Sequence, residues 1–358
     1  MSYLYYVYIT DILRRQKTSI PIPEIYYYND DPTNSVGAMF ILMSYIHGTT
    51  AYKLQLMKKC GMGVYGTPDQ DRRFREQMAS IQVELSLFKF SHIGSLYQHP
   101  ETSEFFIGPE IETGKGPWAT PIEYYSDFIN HSFQSSMASA SPEVQASISF
   151  AIPLLFKYLI SIYGRNCGYF ALTNRDFGAH NLLVNDNFEI VGVIDFEGII
   201  AAPIEEVAQY PRLTGLNMTP PGQVETRPLA IDRIKQTEQR LRDYRDMIKE
   251  KEIRVKGNNN GEESIADMML SVAASICQGL MVQYPSNIKC VNDRWMEAYM
   301  RLLQKYLSNN GAVPIADVKS EAAGIFQGLI IDYSHLECVN DRWMEEFVNL
   351  FEKSLYDF

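Results

Sequence analysis

One stretch limits the fold of this chain more than any other. Residues 174–198 read NRDFGAHNLLVNDNFEIVGVIDFEG. Two apolar segments, NLLV and FEIVGVIDF, flank the polar triplet Asn185, Asp186 and Asn187. Asn and Asp close tight turns through their own side chains, so the pattern predicts a β-hairpin. Asp176 falls in the loop just before the first strand, Asn181 opens that strand, and Asp195 ends the second. A hairpin brings such strand ends together. Asn181 and Asp195 can then share one hard cation through oxygen, with Asp176 a few residues away in the preceding loop.

Taken singly, these residues are ordinary: an Asp in a turn, an Asn at a cap. Their combination is not. The pattern is D-x4-N, an apolar strand, then I-D-F, with the two Asp nineteen residues apart. Phosphoryl transfer asks for these groups, a carboxylate to take a hydroxyl proton and oxygen ligands for Mg²⁺, with a further cation on the phosphates.

The rest of the chain bounds what such a site sits in. With 358 residues, 46% hydrophobic and 21% charged, it is long and apolar enough to bury a core. A net charge of −11 argues against binding a nucleic-acid backbone and favours cationic ligands. Five cysteines without C-x-x-C spacing read as reduced thiols of an intracellular protein. The N-terminal MSYLYYVYITDILRR carries its positive charge after the apolar stretch, the reverse of a secretory signal. No run approaches the ~18 apolar residues of a membrane span. The expectation is a cytoplasmic protein without nucleic-acid or membrane partners.

Residues 1–17 are expected to be helical and to end at TSIPIPE, where Pro21 and Pro23 impose extended backbone. IYYY (25–28) and MFILMSYI (39–46) read as antiparallel strands, and HGTT opens a helix capped by Thr49 or Thr50. Phe74, Met78, Ile81, Leu85 and Leu87 predict a helix over about 69–90. Loops and short strands follow to 120, then helices at about 121–133 and 142–164, and a charged helix over 227–254. CGMGVYG (60–66) contains G-x-G-x-x-G, but it follows a helix instead of a strand and reads as a flexible loop. The six histidines show no ligand spacing, and His180 is expected to bond locally. QGLMVQYPSNIKCVNDRWMEAYM (278–300) returns as QGLIIDYSHLECVNDRWMEEFV (327–348), a tandem repeat read as packing helices over about 278–307 and 327–355.

The stretch DFGAHNLLVNDNFEIVGVIDFEGIIAAP resembles the catalytic region of the aminoglycoside phosphotransferase and choline kinase-like family, in its fungal form. TSIPIPEIYYY, MFILMSYIHGTT, IGSLY, FFIGPE and GPW resemble further landmarks of that family, in order, over roughly residues 5–215. The resemblance implies an α+β, protein kinase-like fold. Its parts would be a reduced N-terminal β lobe (1–50), a large lobe with catalytic loop and hairpin (51–215) and a helical C-terminal region (216–358). It implies ATP-dependent phosphorylation of a small-molecule hydroxyl, a cationic one suiting the acidic chain. Asp176 would be the base, Asn181 and Asp195 the Mg²⁺ ligands, and Met43, Ser44 and Tyr45 the hinge that pairs with adenine.

Two features depart from the family pattern. Asn174 stands where the family has His, a residue that supports loop geometry. Only 17 residues precede TSIPIPE, where the family has a glycine-rich strand pair, a strand with Lys and a helix with its partner Glu. Residues 1–358 are therefore expected to transfer phosphate weakly or not detectably. The alternative reading is a pseudoenzyme, a binding or scaffold module on the same large lobe, and a third is an interaction protein built on the repeat.

Overall fold

The computed structural model describes residues 2–61, 63–139, 169–196, 198–216, 228–257 and 264–269, with positions 271, 274 and 277. The chain divides into two compact units. One comprises Met1–Thr120, Cys167–Met218 and Pro228–Ala274, the other Pro121–Asn166, Thr219–Arg227 and Ser275–Phe358. The second expected helix (142–164) and the tandem repeat lie outside the described residues. No described helix is long and apolar enough to cross a membrane.

The first unit is a mixed α+β assembly of short antiparallel sheets and helices. Helix α1 (Ser2–Arg15) buries Ile9, Ile12 and Leu13, one face at helical spacing. Strands β1 (Ile25–Asn29) and β2 (Phe40–Met43) pair antiparallel as a two-stranded sheet, as the sequence indicates. Its outer surface exposes Tyr26, Tyr27 and Leu42. Strand β3 (Thr49–Thr50) runs directly into α2 (Ala51–Met57); Thr50 stands at the cap position but its hydroxyl makes no capping bond.

Helix α3 spans Pro68–Ser86 and starts with a capping box, Thr67 and Gln70 each bonding the other's backbone amide. It ends earlier than the apolar spacing suggests, leaving Leu87 exposed. The reason is a competing sheet: the Phe88 carbonyl accepts the Leu172 amide, and β4 (Lys89–Phe90) joins β7 (Phe170–Asn174). β5 (Ser95–Gln98) and β6 (Phe105–Gly108) form a hairpin.

Two three-stranded sheets position the site. β7 lies between β4 and β10 (Ile199–Ala202), while β8 (Leu182–Val184) lies between β3 and β9 (Ile190–Val193). The β8–β9 pair is the expected hairpin, closed by the Asn185 side chain, whose oxygen accepts the Asn187 and Glu189 amides. The short helix α5 (Ile204–Val207) follows β10. α6 (Pro228–Lys256) packs on α3 through Leu241, Tyr244 and Ile248. There the fully buried Tyr244 hydroxyl donates to Gln82 Oε1 at 3.0 Å. α7 (Ile265–Met269) takes its first amides to the buried Glu252 carboxylate.

In the second unit, α4 (Pro121–Ser139) buries Tyr124, Tyr125 and Ile129, and the Tyr125 hydroxyl lies 3.9 Å from Cys277 Sγ.

Candidate active site

The loop after β7 is shaped by its own polar side chains. Asn174, the last residue of β7, accepts the Asp176 amide on Oδ1 at 2.9 Å, an Asx turn. Its Nδ2 lies 3.4 Å from the Asp195 carbonyl. One side chain thus ties the two candidate loops together. The Arg175 amide donates to Gly198 O at 3.0 Å, so β10 begins against the same loop.

Asn181 closes the other end. Its Nδ2 donates to both the carbonyl and Oδ2 of Asp176, each at 3.1 Å. Its own carbonyl accepts the Ile194 amide at 3.0 Å, one residue before Asp195. Asp176, Asn181 and Asp195 therefore converge on one end of the hairpin. Asp195 adopts a left-handed backbone (φ 61°), which Asp tolerates better than most residues. Its carboxylate is exposed and has no ion-pair partner among the described residues. Phe196 beside it is fully buried and meets the Tyr6 ring of α1 at 5.8 Å. Burial, helped by the Asp195 charge, pushes the Tyr6 phenol up to about 12.

Two of the residues around Asp176, Arg212 and Arg175, carry no sequence signature; His180 does. Arg212 Nη1 donates to Asp176 Oδ1 at 3.0 Å. His180 Nε2 faces Asp176 Oδ2 at 3.0 Å, the local bond expected of it, and its Nδ1 is buried without a partner among the described residues. Arg175 bridges two buried carboxylates, Glu110 Oε1 and Glu206 Oε1. Partial burial alone would raise the Asp176 pKa, but the hydrogen bonds and charges of His180 and Arg212 together outweigh it and hold the carboxyl below its usual value.

A depressed carboxyl pKa contributes stability above the unfolded value of ~3.9 and loses it as pH falls through the folded value. The stability difference between the native chain and Asp176→Asn is therefore expected to be constant at neutral pH and to shrink on acidification below ~4. Urea unfolding of both proteins across that range checks the sign.

Arg212 reaches the site because its loop is anchored from below. Its amide donates to Phe177 O at 2.8 Å and its carbonyl accepts the Ala179 amide at 3.0 Å. A side chain at Gly178 would meet Arg212 O at 2.4 Å, so only glycine permits this approach. The next residues lean on CGMGVYG. A Cβ at Gly63 would lie 2.5 Å from Gly215 Cα, and the Tyr65 hydroxyl bonds Leu213 O. Arg75 Nη2 reaches Gly63 O at 2.7 Å and Thr214 O at 3.3 Å. Gly63 and Tyr65 of the glycine motif thus pack against the 213–215 turn.

Met43, Ser44 and Tyr45, expected from the sequence to contact adenine, lie at the end of β2 and just beyond it. The Met43 Cα is opposite Ile25, and Ser44 pairs with Glu24 through its amide (2.7 Å) and its hydroxyl (2.7 Å). Tyr45 is 79% exposed, its ring edge-on to His47. A separate cleft of about 550 Å³, lined by Arg73, Gln77, Glu189 and Lys251 among others, includes none of Asp176, Asn181 and Asp195.

No protein-family model and no curated protein matches the chain. Among solved structures, the chain is similar to a thermostable mutant of aminoglycoside phosphotransferase APH(4)-Ia in its apo form. That match has 16% sequence identity and a TM-score of 0.41, covering 86% of this chain and 84% of that one. The likeness is loose, and the functional reading rests on the loop geometry.

Proposed function

We propose that the chain is a phosphotransferase that uses ATP and Mg²⁺ to phosphorylate a small-molecule hydroxyl. The observation that supports this most is the side chain of Asn181, which fixes the Asp176 carboxylate while its backbone is bonded to the residue before Asp195. Asp176, with its depressed pKa, is ionised at neutral pH and is the group that orients the acceptor hydroxyl and takes its proton. Asn181 and Asp195 present hard oxygen donors of the kind Mg²⁺ takes, and the Asp195 carboxylate is free of competing cations among the described residues. Bound Mg²⁺ supplies charge neutralisation on the nucleotide phosphates. Met43, Ser44 and Tyr45 are assigned to the adenine.

A second reading, a binding module on the same scaffold, has one observation in its favour. Both Asp176 oxygens are already engaged, by Arg212 on one side and by His180 and Asn181 on the other. A base held this way transfers a proton only when one of these contacts opens.

Single-turnover transfer from labelled ATP to a panel of hydroxyl compounds separates the two. The enzyme reading expects product with at least one acceptor, formed slowly, as expected from the sequence, and reduced a further ~10²–10⁴-fold in Asp176→Ala. Product formed equally well by the variant would contradict it, and nucleotide binding without any transfer would favour the binding module.

A further inference from the structure

We propose that Arg212 selects the acceptor, and that the acceptor is a small anion, a carboxylate or phosphate ester with a hydroxyl on a neighbouring carbon. This rests on the phosphotransferase reading for the role of Asp176, but its evidence is the arginine itself. The Arg212 backbone is bonded on both sides to the loop that carries Asp176, at Phe177 O and at the Ala179 amide. The Arg212 backbone is therefore a fixed part of that loop, and its guanidinium stands beside Asp176 although it lies 36 positions away in sequence.

Its side chain is 44% exposed and spends one N–H on Asp176 Oδ1. No other partner engages it among the described residues. A guanidinium has five N–H donors in a planar fork that matches carboxylate and phosphate oxygens. Half-exposed pairs of this kind hold weakly, so a ligand anion competes for the fork without a large cost. An anion seated on the free N–H groups carries its adjacent hydroxyl to the Asp176 carboxylate. The net charge of −11 points instead to cationic ligands. At contact distance the nearest charge decides, because exposed charges beyond about 8 Å are screened at physiological salt.

The test is calorimetric titration of the full chain, without nucleotide, with glycerate, glycerol 3-phosphate, glycerol and choline. The expected result is binding of the two anions and not of glycerol or choline, weakened at least ~10-fold in Arg212→Gln and partly restored in Arg212→Lys. Comparison of the two anions tells a carboxylate site from a phosphate site. Circular dichroism melts of both variants establish that they fold. Choline binding as tightly as the anions, or anion binding unchanged in Arg212→Gln, would overturn the proposal. So would a loss confined to MgATP affinity, which would place Arg212 on the nucleotide. Titration of MgATP into the native chain is read separately: its absence removes the phosphotransferase reading while leaving the anion result standing.

Discussion

Arg75→Met is expected to cost about 3–5 kcal/mol of folding stability, the scale for breaking a buried ion pair by removing one partner. Arg75 is 4% exposed and bonds Asp71 Oδ2 at 2.8 Å, Gly63 O at 2.7 Å and Thr214 O at 3.3 Å. Methionine fills the volume but leaves the Asp71 carboxylate with only the Tyr65 amide, and the Gly63 and Thr214 carbonyls without the Arg75 donor. The damage is expected to reach the site, because the 211–215 loop that presents Arg212 to Asp176 rests on this brace. Urea unfolding midpoints measure the loss. Arg75→Lys should rescue little, since an ammonium cannot span three acceptors in one plane. A loss below about 1 kcal/mol would mean that the Gly63–Gly215 contact alone holds the loops together.

The parts of this structure that the sequence revealed are those governed by local rules. The hairpin is legible because Asn185–Asn187 sit between apolar runs, and turn chemistry acts within a few residues. β1 and β2 follow from aromatic and β-favouring density, and the end of α1 from the extended backbone that Pro21 and Pro23 impose. The convergence of Asp176, Asn181 and Asp195 follows from the hairpin register. Where long-range packing decides, the sequence is silent. Arg212 lies in PRLTG, a stretch with no periodicity, and it reaches Asp176 only through contacts with Phe177, Ala179 and the Gly63 loop. The end of α3 is set by strand β4 joining β7 and not by helix propensity. The Arg175 bridge unites Glu110, Arg175 and Glu206, residues whose spacing in sequence carries no signal.

The central claim is that Asp195 and Asn181 form a Mg²⁺-dependent nucleotide site beside Asp176. Asp195 is the sharper target, because its carboxylate makes no ion pair among the described residues and its loss breaks no ion pair there. Its positive φ guides the choice of variant: Asn tolerates the left-handed region, so Asp195→Asn removes the charge and keeps the backbone. The decisive measurement is calorimetric titration of ATP into the native chain and Asp195→Asn, each with Mg²⁺ and with a chelator. The account predicts binding by the native chain in Mg²⁺, at least ~10-fold weaker with chelator or in the variant, and no further effect of Mg²⁺ on the variant. Equal ATP affinity in all four titrations, or no binding by the native chain in Mg²⁺, would contradict it.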